Sequence, residues 1–421
     1  MLKQYKSPPI YQIDQIHFPL PETILLSNGI PVYLIEGGSQ DVCKIDFMFD
    51  AGRPYEHKRL TATTLAGIIK EGTKTRSAHL IAEETDHCGA SISSPFSFDH
   101  IHLQLVCLTK HVLTLLPILI DIAREPVFEE SELQLFKKRT LQRLAVDLSH
   151  NDVVCYRKAT ELYFGPEHPY GYNSSQTAYL DVQREDLIQH HTAFFGPQNA
   201  KIFVAGRLPH DLVSHIEMLT SDWPSGIVAG MPVFPDPVQG SGVVVDDLNK
   251  AQSALRIGRP LFNRNHPDWP GVFLLNTILG GYFGSRLMKN IREKKGLTYG
   301  VQSTLESLKF HGYLSISLET ERQQVGKVIR EIFKEIDILQ QSRIPDAELQ
   351  MAKNYTGGYL LSLMDGPLQI LEVLKNNIAE DSPINFTEQL LKKLSDTTAD
   401  TVMALAQRYL NKEDLYQVII H

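Results

Sequence analysis

Histidines offer the first candidates for chemistry. His79, Glu83 and His87 recur at every fourth residue of a stretch that reads as a helix, which puts them on one face. The outer two stand ~12 Å apart along the axis, too far to share one metal ion, and the trio reads as a solvated face. His100 and His102 share one face of an alternating strand. With no third ligand in view, they read as surface or partner contacts. His190 and His191 point to different faces and read as incidental. Nucleophilic catalysis finds no Gly-x-Ser-x-Gly elbow and no cysteine-protease string. Cys43, Cys88, Cys107 and Cys155 form no close pair, so they read as reduced core residues rather than a disulfide framework or zinc knuckle.

One string is denser than the rest: Gly280-Gly281-Tyr282-Phe283-Gly284-Ser285-Arg286-Leu287-Met288-Lys289-Asn290-Ile291-Arg292-Glu293-Lys294-Lys295-Gly296-Leu297-Thr298-Tyr299-Gly300-Val301. It lacks the spacing and the βαβ context of a phosphate loop. Gly280, Gly281 and Gly284 either let the backbone approach a partner or substrate closely or simply make a tight helix start. Ser285 to Lys295 reads as a helix closed by Gly296, with Lys294 and Lys295 where cations suit the helix dipole.

The elements that must carry these residues fall into two similar halves. Trp223 to Gly242 is dense in proline and glycine and reads as a linker between domains 1–222 and 243–421. On either side an alternating strand (His100–Leu108; Gly312–Glu319) leads through a helix and a proline to Glu132-Leu133-Gln134 or Glu348-Leu349-Gln350. Each half ends on a helix and a strand, Ala200–Ala205 and Leu415–Ile420. Strands grouped with helices, without regular βα alternation, predict a duplicated α+β fold. Asn28-Gly29 predicts a turn between strands, and Leu60, Thr64, Leu65, Ile68 and Ile69 recur at helical spacing.

Composition narrows the functional classes. The 421 residues are 43% hydrophobic and 21% charged, with net charge −8, so no excess of Lys and Arg exists to displace phosphate counterions and no nucleic-acid partner is expected. The most apolar stretch, Val112 to Ala123, is short and interrupted by Pro117 and Asp121, which predicts a buried helix rather than a membrane span. The first residues are polar, without the apolar core of a signal peptide. The expectation is a cytoplasmic protein.

The Gly-Gly turn, Ser285-Arg286-Leu287 and Arg292-Glu293-Lys294-Lys295-Gly296-Leu297-Thr298-Tyr299 closely resemble the C-terminal half of M16 (pitrilysin/insulinase-like) peptidases. Ala51-Gly52-Arg53-Pro54-Tyr55-Glu56, Glu71-Gly72-Thr73-Lys74-Thr75-Arg76-Ser77 and His168-Pro169-Tyr170-Gly171 are similar to strings of the N-terminal half. The resemblance runs from about residue 20 to the end. It implies two homologous α/β-sandwich domains of the LuxS/MPP-like metallohydrolase type.

Active members carry His-x-x-Glu-His on a helix before the Gly-Thr that matches Gly72-Thr73. In this chain Thr63 and Gly67 fall on the histidine positions and Ala66 on the general base. Arg143 falls on the third, glutamate ligand. Zinc needs about three imidazole, thiolate or carboxylate ligands, and these residues supply none. The resemblance therefore implies an M16B-type non-catalytic subunit. An HxxEH partner subunit would bring zinc, water and base to a peptide substrate. Arg292 and Tyr299 would donate hydrogen bonds into the partner's site. Alone, the chain would hold no metal, have no peptidase activity and be free to pair with itself. Two alternatives stay open: a structural or peptide-binding homologue without catalytic role, and a peptidase with a displaced metal site.

Overall fold

The computed structural model describes residue 13 and residues 16–421. The N-terminal half builds a six-stranded sheet from β1 (Glu22–Leu25), β2 (Pro31–Glu36), β3 (Val42–Phe49), β4 (Ser91–Ser93), β5 (Ile101–Leu108) and β6 (Ala200–Gly206), in the order β1-β2-β6-β3-β5-β4. Its helices are α1 (Thr61–Ile68), α2 (Ala78–His87), α3 (Val112–Arg124), α4 (Glu130–Asp147), α5 (Asn151–Phe164), α6 (Gln176–Asp181), α7 (Arg184–Phe194) and α8 (Leu212–Thr220). The C-terminal half builds five strands, β7 (Gly242–Asp246), β8 (Gln252–Leu261), β9 (Val301–Ser307), β10 (Gly312–Glu321) and β11 (Tyr416–Ile420), in the order β7-β11-β8-β10-β9. With it go α9 (Trp269–Asn276), α10 (Val325–Gln341), α11 (Asp346–Ser362), α12 (Pro367–Ala379), α13 (Phe386–Asp396) and α14 (Ala399–Tyr409).

Dropping β1 leaves the two sheets with the same order. In each, the half's last strand lies between a parallel neighbour (β2 or β7) and an antiparallel one (β3 or β8). The fold is α+β and duplicated, as the repeated sequence order predicts. Residues 223–241 form neither helix nor strand. Asn28-Gly29 turns β1 into β2, with Gly29 at a φ of 87° that favours glycine.

Strand alternation sends each sheet's side chains to two different seats. From β3, Cys43, Ile45, Phe47 and Phe49 enter the core of their own half, while Met48 and Asp46 face the other way, toward α12 of the C-terminal half. There Ile370, Leu371 and Leu374 pack on Phe18, Ile35, Met48, Phe203 and Ala205. The exchange is mutual. α5 leaves the N-terminal half and packs on β8 and β11, burying Cys155, Ala159, Tyr163 and Phe164 against Ala254, Tyr313, Tyr416, Val418 and Ile420. The division in sequence is therefore not the division in packing.

Leu371 is fully buried on the exchanged face of α12. Leu371→Ala is expected to lower unfolding stability by ~2–5 kcal/mol, read from urea denaturation. A loss below ~1 kcal/mol would place α12 away from the N-terminal sheet in solution.

Candidate functional site

The helix expected to carry a zinc motif is α1. Glu56 starts it: its carboxylate accepts the amides of Leu60 (3.1 Å) and Ala62 (2.8 Å), satisfying donors a first helical turn leaves free. Thr63 shows a buried hydroxyl without a hydrogen-bond partner, and Ala66 is buried. Gly67 has no room for a side chain. A Cβ there would lie 2.2 Å from Cε2 of Phe136, so the α4 phenyl ring fills the place where a ligand would project. A methyl, a glycine and a lone hydroxyl do not fit zinc.

Arg143 lies in the second half of α4. Its side chain is 84% exposed and 3.8 Å from Asp147. Seven residues after Phe136, it shares that ring's stripe of α4, one end of the stripe packed on Gly67 and the other open.

The second cluster surrounds the glycine turn. Residues Thr277–Gly281 and Met288–Lys294 are π-helical, wider than the α-helix that the spacing predicts, a winding concentrated at functional sites. Gly280 has to be glycine, since a Cβ would sit 2.7 Å from Cβ of Ser303 on β9. Gly281 would meet only the carbonyl of Asn276, at 3.2 Å, and Gly284 the ring of Tyr282, at 2.7 Å. These three pack the turn against its own half. Arg286 grips Glu348 at the start of α11 with two bonds of 2.7 and 2.8 Å. Gly296, at φ 60°, closes the helix, its amide 3.0 Å from the Arg292 carbonyl.

Arg292 and Tyr299 come together. The Arg292 guanidinium carbon lies 4.7 Å from the ring centre of Phe283 and 5.5 Å from that of Tyr299. Tyr299 is 92% exposed and Phe283 63%. Tyr299 sits in a loop pinned by Thr298, whose hydroxyl donates to the Glu319 carbonyl (2.6 Å) and accepts the Gly300 amide (3.2 Å). Among the described residues Arg292 has no carboxylate partner. Held by aromatic faces, it keeps its N–H donors free for an acceptor from outside.

Residues 32–161 match the model described as Insulinase (Peptidase family M16), and residues 181–356 match Peptidase M16 inactive domain. The chain belongs to peptidase family M16. Among its relatives, a Bacillus subtilis protein named as an uncharacterized zinc protease is 22% identical, over 92% of this chain and 95% of its own. A probable mitochondrial-processing peptidase subunit beta of Arabidopsis thaliana is 22% identical, over 98% and 81%. The M16 fold is shared with a peptidase M16 inactive domain from Pseudomonas fluorescens (TM-score 0.85, 21% identity, 95% and 98% covered) and a protease from Helicobacter pylori (TM-score 0.88, 16%, 96% and 100%).

In this M16 chain several histidines have roles that spacing did not reveal. His100 and His102 are buried, not surface contacts: their rings meet Asp50 and Asp46, each at 3.0 Å. The other half supplies Lys309 to Asp50 (3.0 Å) and Lys375 to Asp46 (2.7 Å). Burial alone would raise both carboxyls, but the facing cations and imidazoles hold them below the usual range. His190 and His191 are not incidental either. They bond the Ala51 and Ala123 carbonyls at 2.8 Å each, tying α7 to the loop after β3 and to α3. The signal that could have revealed the buried cluster is Asp46, Asp50, His100 and His102 at same-face spacing on two strands. His79 and Glu83 do form a solvated face. Among the described residues no three His, Cys, Asp or Glu side chains gather as one ion requires, and no helix is long and apolar enough to cross a membrane.

Two predictions follow from these environments. Gly67→Ala is expected to lose ~1–3 kcal/mol of stability from the Phe136 overlap, measured by thermal unfolding; Gly67→Ala with Phe136→Leu should recover part of it. Burial depresses His100, His168, His190 and His191 to about 4. Their contribution is lost as pH falls below ~6.5, where unfolded histidine takes up its proton. Burial raises Asp99 to about 6 and Glu380 to about 7, so these two favour folding more as pH falls. The four histidines outweigh the two acids, and stability should fall from pH 7 to pH 5. The double variant Asp99→Asn, Glu380→Gln should fall more steeply, as denaturant titrations at both pH values would show.

Proposed function

We propose that this chain is the non-catalytic subunit of a two-chain M16 zinc peptidase, with halves 1–222 and 243–421 joined by the 223–242 linker. The observation that carries the reading is the Arg292–Phe283–Tyr299 cluster, a half-buried guanidinium held between aromatic rings beside an exposed phenol and the glycine turn. The packing of Phe136 into Gly67 supports it from the other side, because α1 leaves no room for a metal ligand there.

In this reading an HxxEH partner subunit would hold the zinc, which would supply an activated water. Tyr299 donates its hydroxyl proton as a hydrogen bond to the carbonyl oxygen that gains charge at the scissile bond. Arg292 offers parallel N–H groups to a neighbouring backbone carbonyl of the peptide. Both groups act as fixed donors, and neither transfers a proton. The Phe283 and Tyr299 rings orient the guanidinium without neutralising it. Peptides would lie along an exposed sheet edge and be read through backbone hydrogen bonds. The chain acts in the cytoplasm and pairs with itself when its partner is absent. A purely structural or peptide-binding role shares the closed α1 site but gives Arg292 and Tyr299 no task.

The test mixes the purified chain with its HxxEH partner and follows cleavage of a fluorogenic peptide and zinc content. Zinc should track the partner. Tyr299→Phe and Arg292→Ala should each lower cleavage by roughly 10²–10³-fold while the complex still elutes intact. Unchanged cleavage in both variants would favour the structural role. Stoichiometric zinc in this chain alone would overturn the assignment.

A further inference from the structure

A cavity of about 450 Å³ opens between the two halves. It shares no lining residue with α1, α4 or the Arg292 cluster. Its floor holds His100 and His102, with ring centres 6.3 Å apart. Each imidazole is backed by a buried aspartate: Nε2 of His100 lies 3.0 Å from Asp50, and Nδ1 of His102 lies 3.0 Å from Asp46. An ionised carboxylate only accepts hydrogen bonds, so Nδ1 of His102 carries the proton toward Asp46. That leaves Nε2 of His102 as a lone pair, while Nε2 of His100, close to Asp50 but off the hydrogen-bond direction, is buried without a hydrogen-bond partner.

The walls add further acceptors. Asp99 comes from the N-terminal half and Glu380 from the end of α12. Asp99 accepts from Tyr170 and the Lys309 amide, and Glu380 from Arg264 and Ser307, and each carboxylate has lone pairs to spare. The two cations at the wall are already engaged. Lys375 bonds Asp46 (2.7 Å) and Glu372 (2.8 Å). Arg53 donates to the Tyr172 carbonyl (3.3 Å) and stacks on the rings of Phe98 and Tyr172. The cavity therefore offers acceptors in excess, beside the aromatic edge of Phe96 and Phe98.

We propose that this cavity between the halves binds a small organic cation, an ammonium or guanidinium on a short apolar stem. The charged head donates to the His102 lone pair and to Glu380, and the stem lies along Phe96 and Phe98. A transition-metal ion is the weaker fit, because no third ligating side chain joins the two imidazoles. The ligand touches both halves at once and so ties them together. Burial raises the Glu380 carboxyl to about 7, and a cation bound beside it would lower it again.

The test is isothermal titration of the intact chain at pH 7 with agmatine, in two buffers of different ionisation enthalpy. Pentanoate and sodium chloride serve as controls. One agmatine per chain should bind with release of a fraction of a proton, and the unfolding midpoint should rise. Glu380→Gln should abolish the proton release and weaken binding roughly tenfold or more. Asn376→Trp, which crowds the cavity from its exposed rim, should also block binding without disturbing the buried pairs. No saturable binding up to about 10 mM would overturn the proposal. So would binding that persists unchanged in both variants, since it would mark general attraction to an acidic surface.

Discussion

Asp46 is 0% exposed beneath a helix from the other half of the chain. An ion so placed is tolerated only with a countercharge and satisfied hydrogen bonds, and Lys375, His102 and Gln104 provide them. Lys375 is itself 7% exposed and as dependent on Asp46 as Asp46 is on it. The pairing fixes where α12 sits along the strands, because a slip of one residue would leave two buried charges unmatched. The apolar contacts of Leu371 and Leu374 favour docking in general, whereas the ion pairs select one docking.

Much of this architecture was legible in the sequence, for physical reasons. Alternation on β5 and β10, the apolar stripe of α10 and the Asn-Gly turn are local patterns, and each appears where the pattern places it. The repeated Glu-Leu-Gln helix starts at Glu132 and Glu348 marked the duplication, and both strings open in the first turn of their helices. The Arg292–Tyr299 pairing was also readable, since both residues lie within one short helix–loop unit.

Contacts between distant segments were not readable. Nothing near Gly67 in sequence announces Phe136, because that packing depends on how α4 crosses α1. His100 and His102 looked like surface residues because their partners lie on β3 and in the other half. The π-helical winding around the glycine turn was hidden as well, since the pattern predicts a helix but not its pitch.

The exchange of α5 and α12 has a consequence for how the chain comes off the ribosome. α5 is complete by residue 164, but the strand that receives Tyr163 and Cys155, β11, comes about 250 residues later. β3 and β5 likewise present Asp46 and His102 to an empty groove until α12 arrives. Neither half can finish its packing on its own as it emerges, because the N-terminal sheet waits for α12 and α5 waits for β11. A chain stopped short of residue 416 would leave α5 without its sheet and display Tyr163 and Phe164 to solvent, a surface that chaperones and proteases recognise. The interlock thus doubles as a check on synthesis, because only a chain made through β11 can bury what α5 exposes.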